Sequence, residues 1–300
     1  MNIMGRKKIW FILSGIFILI SILAIVFWGL NLGLDFSGGV IIEIQTEKSP
    51  DINIIRNNLK SSNVEAIVSS SGDKKVLIKT KELNQDKKES FKKNLTDKYG
   101  KVEEISYRSV GPTISKDLIR KSVLAIAVAS LFIVFFVAYA FRKVSKQISS
   151  WRFGVCGIIA LLHDALIIIG LFAILGHFLH VEVDSMFITA ILTVIGFSIH
   201  DTIVIYDRIR ENLKKTNNDN LDQIANQSII EMLPRDLATS FVIILVLLSL
   251  YLLGGESTRY FALAIAVGMF FGTYSSIFVA SALAVAWQKW SDKRKSLSKT

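Results

Sequence analysis

The sequence predicts a polytopic α-helical membrane protein with six transmembrane helices and a small α+β domain of βαββαβ order inserted between helices 1 and 2. Three observations carry this. The 300 residues are 51 % hydrophobic, with mean hydropathy +0.47, too apolar for an ordinary soluble domain. The apolar residues fall into six long runs. One polar, mixed-charge stretch, residues 31–120, separates the first run from the other five.

The first run, residues 9–33, follows Arg6, Lys7 and Lys8 and carries no basic residue. Its apolar part is far longer than the roughly 7–15 residues of a signal-peptide core, and no small-x-small cleavage site follows, so it reads as an uncleaved anchor. The remaining runs are residues 123–141, 153–176, 183–206, 237–253 and 261–287. The fifth span is expected to be short and to open just after Pro234. Each can cross roughly 30 Å of hydrocarbon at about 1.5 Å per residue.

Orientation follows from the short loops. The N-terminus, the loop with Arg142, Lys143, Lys146 and Arg152, the loop with Arg208, Arg210, Lys214, Lys215 and Arg235, and the tail with Lys289, Lys293, Arg294, Lys295 and Lys299 all fall on one side of a six-span chain. The short loops on the other side carry only Arg259. Both termini are therefore expected in the cytoplasm. The net charge of +10 is explained by this topology, without nucleic acid. The single cysteine, Cys156, lies in a span and provides neither a disulfide framework nor a thiolate metal site.

The polar stretch must lie outside. Residues 40–45 read as a strand. Residues 51–62 read as a helix capped by Asp51, with Ile52, Ile55 and Leu59 on one face. Residues 64–70 and 75–80 read as strands around a turn at Gly72–Asp73. Residues 84–100 read as a helix ending at Gly100, and 102–110 as the last strand. That order is the ferredoxin-like split βαβ. The domain has neither Cys nor His and no phosphate loop, so it reads as a binding or lever module. The divisions are 1–33 for the N-terminus and first helix, 34–119 for the outer domain, 120–287 for helices 2–6, and 288–300 for a basic tail.

Ionisable residues inside apolar runs stand out, because a charge at mid-bilayer costs from about 3 to above 10 kcal/mol. His163 and Asp164 lie near the middle of the third span. His200 and Asp201 are expected about one and a half turns inside the cytoplasmic end of the fourth. Asp207, Arg208, Arg210 and Glu211 read as interface anchors. A membrane aspartate is a natural proton carrier. Asp201 needs a cation, and Arg235 in "LPRDLATS" is the candidate, with Thr239 one turn on along the same face. A metal site is not signalled: neighbouring residues on a helix point about 100° apart, so a His-Asp pair does not chelate one ion, which leaves only a site built of one residue from each helix. No enzyme signature is present, neither Gly-x-Ser-x-Gly nor His-Glu-x-x-His. No cofactor is expected beyond protons as coupling ion. "GMFFG" (Gly268–Gly272) reads as a close-packing stripe.

"GLDFSGGV" (Gly33–Val40), "SVGPTISKDL", "ALLHDALIIIG", "IGFSIHDTIVIYDRIREN", "LPRDLATS" and "YLLGGE" together resemble the SecD/SecF protein-export family, in its stand-alone SecF branch, over nearly the whole chain. Gly33, Asp35, Gly38 and Gly39 match the signature after the first helix. The resemblance implies half of a bundle of the resistance-nodulation-division (RND) superfamily, in the bacterial inner membrane, with a periplasmic ferredoxin-like domain. It implies SecD as the other half, the SecYEG channel and YajC as associates, unfolded preprotein as substrate and the proton-motive force as energy source. It places Asp201, Arg235 and Thr239 in the proton pathway. One departure is His200, where the family more often has Asn. The imidazole either tunes or joins the relay, or replaces the amide as a hydrogen-bonding group; the sequence leaves both open. It assigns His163 and Asp164 no role beyond a polar contact. The rival readings are a proton-driven exporter of small molecules or lipids from the same superfamily, and a non-transporting assembly subunit.

Overall fold

The computed structural model describes residues 2–61, 66–70, 74–80, 89–90, 93–96, 99–140, 150–215 and 220–297. The chain divides into two units: Met1–Asn31 with Val123–Thr300, and Leu32–Ser122.

The first unit is a helical bundle. A 3-10 turn, Met4–Arg6, leads into α1 (Lys7–Trp28). After the second unit come α4 (Pro112–Ala140), α5 (Ser150–Leu179), α6 (Ser185–Lys215), α7 (Leu221–Leu253) and α8 (Glu256–Ser275). A π-helical turn, Ser276–Ala280, joins α8 to α9 (Ser281–Leu297). Among the described residues six spans are long and apolar enough to cross a membrane, the last made of α8, the π turn and most of α9.

Three boundaries differ from expectation. α7 is not short: it starts at Leu221, capped by the Asn220 side chain accepting from Gln223 N, and encloses Pro234. Polar residues 221–233 fail an apolar-run criterion yet pack a buried face of Leu221, Ile224, Ala225, Ser228 and Ile229. α6 runs on to Lys215 for the same reason, burying Ile209, Asn212 and Leu213. The last helix extends to Leu297, so the basic stretch from residue 288 is helical. The loop with Arg142, Lys143 and Lys146 lies outside the described residues.

Glycines set two close approaches. A Cβ at Gly170 of α5 would sit 2.4 Å from Ser21 Cα of α1. One at Gly268 of α8 would sit 2.2 Å from a Val194 methyl of α6. The close-packing stripe therefore joins α8 to α6. At the other extreme, α4 and α7 present apolar side chains outward; Phe135 is 64 % and Phe241 63 % exposed.

The second unit is a four-stranded sheet with helical cover. α2 (Leu34–Ser37) is a single turn, and β1 (Gly39–Thr46) follows. Then come α3 (Ile52–Ser61), β2 (Ala66–Ser70), β3 (Lys75–Thr80) and β4 (Val102–Val110). The order is β2-β3-β1-β4, with every neighbouring pair antiparallel. Each βαβ crossover thus skips one strand, which is the split βαβ topology. Asp51 caps α3 through Asn53 N at 2.9 Å. Val40, Ile42 and Ile44 bury one face of β1 against Ile55, Leu59, Leu95 and Tyr99. On the other face Ile41 lies between Lys79 and Arg108. There, burial and the Arg108 cation hold the Lys79 ammonium below the usual lysine range. The turn at Gly72–Asp73, residues 64–65 and most of the helix expected at 84–100 lie outside the described residues; 93–96 are helical, and Gly100 takes φ 81°.

Candidate functional site: a buried acid cluster

The buried residues of α6 follow a spacing of three or four along Val194, Ser198, Asp201, Ile205 and Ile209, with Thr202 beside Asp201 on the same buried face. That stripe, and not a partner in sequence, turns Asp201 inward. His200 falls about 100° away and is exposed. Because α6 continues past its apolar run, Asp201 lies near its middle, about 21 Å from Lys215 along the axis and not close to a helix end.

Three helices meet at Asp201. Thr273 of α8 donates its hydroxyl to Asp201 Oδ2 at 3.3 Å. The Ser240 hydroxyl of α7 lies 2.5 Å from Thr273 Oγ1. With the Thr273 proton engaged by the carboxylate, Ser240 is the donor of this second bond. The direction reverses if Asp201 is protonated, because a carboxylic acid donates where a carboxylate accepts.

Arg235 and Thr239 do not touch Asp201 among the described residues. Arg235 Nε lies 3.3 Å from Asp236 Oδ1. The distance is that of an ion pair, and both Asp236 oxygens are buried without a hydrogen-bond partner of regular geometry among the described residues. Asp201, Asp236 and Arg235 nevertheless lie within electrostatic range of one another. Thr239 is exposed and donates its hydroxyl to the Arg235 carbonyl at 2.9 Å, a bond within its own helix.

His163 and Asp164 form a separate clasp. Asp164 accepts from His163 Nδ1 at 2.9 Å, from Ser198 Oγ at 2.6 Å and from Ser275 Oγ at 2.7 Å. One carboxylate thereby ties α5, α6 and α8. The other ring nitrogen, His163 Nε2, is buried without a partner among the described residues. The π turn is pinned from α6: Tyr206 donates to the Ala280 carbonyl at 3.1 Å, and Ser276 donates to the Ser198 carbonyl at 3.1 Å while pairing with Thr202 at 2.7 Å. Among the described residues no group of three or more His, Cys, Asp or Glu is placed to hold a metal ion.

The expected anchors gather where α6 and α7 converge. Arg208 bridges Glu231 at 2.5 Å and Glu211 at 2.6 Å, and Arg210 pairs with Asp207 at 3.1 Å. Asn212 donates to both Ser228 and Glu231. Nearby, Asp222 pairs with Lys7 and Lys289. Lys7, Arg208, Arg210 and Lys289 thus each meet an acidic partner at this end of the bundle.

The signature glycines belong to the second unit. Gly33 precedes α2, where Ser37 donates its hydroxyl back to the Gly33 carbonyl at 2.9 Å, and Asp35 lies in the first turn. Gly38 and Gly39 take φ 69° and 123°, a pair of left-handed positions that turns α2 into β1.

Comparison with known proteins places the chain in a family. Residues 90–290 match the profile "Protein export membrane protein SecD/SecF, C-terminal", and residues 24–50 match the "SecD/SecF GG Motif". The protein translocase subunit SecF of Thermobaculum terrenum is 41 % identical over 96 % of this chain and 94 % of its own. The SecF of Synechocystis is 36 % identical over 95 % and 93 %. A crystal structure of SecDF from Thermus thermophilus superposes with TM-score 0.81 at 33 % identity, covering 96 % of this chain and 39 % of that one. A super-membrane-facing form of SecDF gives 0.71. This chain thus spans about two fifths of the SecDF polypeptide. With both profiles matched and near-complete relatives well above 30 % identity, the chain belongs to the SecD/SecF family of protein export membrane proteins.

Proposed function

We propose that this chain is a SecF-type translocation subunit, an accessory of the Sec channel and not an enzyme, that uses the proton-motive force to promote preprotein release across the inner membrane. The observation that carries this reading is Asp201: a buried carboxylate at mid-span whose hydrogen-bond partner, Thr273, can act as donor or acceptor. Asp201 binds a proton from one side and releases it to the other as the bundle changes shape. Arg235 stabilises its ionised form, reaching it by rotation away from Asp236, and Thr239 steadies the Arg235 backbone. Protons are the only coupling ion, with no bound cofactor.

SecD is the partner half. The relatives' names and the SecDF fusion support this pairing, and the outward apolar faces of α4 and α7 need lipid or a partner. SecYEG and YajC complete the assembly. The basic end of the bundle, with both termini, faces the cytoplasm under the positive-inside rule, so the ferredoxin-like unit is periplasmic and converts helix movement into movement of the emerging chain. One charge crossing 100 mV is worth about 2.3 kcal/mol, a bias of about 50-fold on a two-state helix arrangement.

The test is proton-motive-force-driven preprotein release in vesicles carrying the SecD complex. Asp201→Asn is expected to assemble and to lose the stimulation. Full stimulation in that variant would leave an assembly role only.

A further inference from the structure

Asp236 is the buried acid that this reading leaves unexplained. Its side chain is 1 % exposed, and no hydrogen bond of regular geometry reaches either oxygen among the described residues. A buried ionised carboxylate without donors is costly unless a cation compensates it. Among the described residues the cation in contact is Arg235, adjacent in sequence and 48 % exposed, at ion-pair distance. Asp201 is the acid across the junction: Ser240, one turn on from Asp236 along α7, contacts Thr273, whose 3.3 Å bond reaches Asp201 Oδ2.

Charge neutrality then sets the count. Two carboxylates and one guanidinium are neutral only when one proton is present. Among the described residues the other charges lie away from the junction. On α7 the next charged residues are Glu231, engaged with Arg208, and Asp222, which packs with Lys7 of α1 and Lys289 of α9 about 21 Å along the helix. From α6, Asp201 is the acid that acts on Asp236, with Asp207 paired to Arg210 almost two turns on and His200 pointing outward. α8 has no charged residue between Arg259 and its end and offers the Thr273 hydroxyl.

We infer that Asp236 shares one proton and one counter-ion with Asp201: Arg235 pairs with Asp236 while Asp201 is protonated, and moves to Asp201 when Asp236 takes the proton. Each carboxylate loses the guanidinium as it gains the proton, so the net charge of the three groups stays at zero through the exchange. The structure shows the Arg235 contact of the first arrangement, with the guanidinium against Asp236. Asp236 is thus a second proton-binding residue of the same pathway. The inference rests on the proton-coupled reading of Asp201.

The experiment is proton-driven preprotein release by vesicles containing the complex with SecD, measured across external pH for wild type, Asp201→Asn, Asp236→Asn and Asp236→Glu. In Asp236→Asn, Arg235 is left with Asp201 alone and favours its ionised form. Stimulation is expected to fall about tenfold at neutral pH, with its pH midpoint moved downward, while co-purification with SecD is kept. Asp236→Glu retains stimulation within about twofold of wild type. Full stimulation in Asp236→Asn, or a loss with an unmoved midpoint, overturns the inference and leaves Asp236 structural. Should Asp236→Asn fail to accumulate, infrared difference spectra decide. The carboxylic-acid C=O band that changes with pH in wild type is expected to move in Asp236→Glu, and an unmoved band overturns the inference. Unimpaired Asp201→Asn would instead sink the proton-coupled reading itself.

Discussion

Thr273 Oγ1 stands 3.3 Å from Asp201 Oδ2 and 2.5 Å from Ser240 Oγ, so one hydroxyl of α8 connects the acid of α6 to α7. Thr273→Val keeps the shape and removes the bond. Stimulated preprotein release is expected to fall about tenfold, matching the roughly 1.5 kcal/mol that a hydrogen bond to a charged group contributes. Ser240→Ala, one bond further from the acid, is expected to cost less. Release assays in vesicles with the SecD complex check both, and a Thr273→Val complex as active as wild type would remove this hydroxyl from the pathway.

Asp164 has a different environment from Asp201. Three donors on three separate residues satisfy its carboxylate, so its role is to hold α5, α6 and α8 together. Asp164→Ala takes the acceptor from the buried Ser198 hydroxyl and the His163 Nδ1–H, while the Ser275 hydroxyl keeps the Gly272 carbonyl at 3.1 Å. The expected destabilisation is about 3 kcal/mol or more. It should appear as a lowered unfolding temperature of the detergent-solubilised protein, with Asp164→Asn, which keeps an acceptor, intermediate. A wild-type melting curve for Asp164→Ala would dismiss the clasp.

Helix period explains what was legible beforehand. The apolar runs located six spans, and the α6 stripe that buries Asp201 follows from counting threes and fours through Val194, Ser198 and Ile205. The βαββαβ order also followed, because turn residues and the Asp51 cap are local signals. Hydropathy failed where a helix leaves the apolar zone while still packing: residues 207–215 and 221–233 are polar on one side only, so α6 and α7 were expected too short. Thr273, Ser240 and Ser275 were not singled out, since a lone hydroxyl in an apolar helix carries no signal until the opposing acid is known. Asp236 was overlooked beside Arg235 because adjacent residues point apart, and only the side-chain positions show the guanidinium turned back onto it.

Gly268 is a steric requirement. Its Cβ would overlap Val194 at 2.2 Å, whereas a Cβ at Gly196, two residues from Val194 on α6, meets nothing within 4 Å. Gly268→Ala is expected to destabilise the bundle by about 1–3 kcal/mol, and Gly196→Ala to be neutral or mildly stabilising. Trimming the opposing side chain in Gly268→Ala/Val194→Ala should restore much of the loss. A double-mutant cycle on unfolding temperature measures that coupling, and additive effects would show that the two positions do not meet.

At Gly38 the constraint is the backbone. A left-handed φ of 69° disfavours any Cβ, so Gly38→Ala is expected to cost about 1–2 kcal/mol. Gly111 has open space around its Cβ position, and Gly111→Ala serves as the control. Hydrogen exchange in the full chain reads the difference, with faster exchange across β1 expected for Gly38→Ala alone. Equal protection in both variants would show that the turn from α2 into β1 accepts a side chain.

His200 is adjacent to Asp201 in sequence, yet the helix turns the two apart. Asp201 lies in the buried stripe with Ser198 and Thr202, and His200 is exposed. Replacing the imidazole therefore leaves the Thr273 bond and the Asp236–Arg235 contact in place. What remains is a through-space effect on Asp201 from an exposed group, which is weak wherever solvent or headgroups screen it. His200→Asn is expected to release preprotein within about twofold of wild type, with an unmoved pH midpoint. If the midpoint moves instead, the imidazole is part of the relay, and its exposed position becomes the route by which protons reach Asp201.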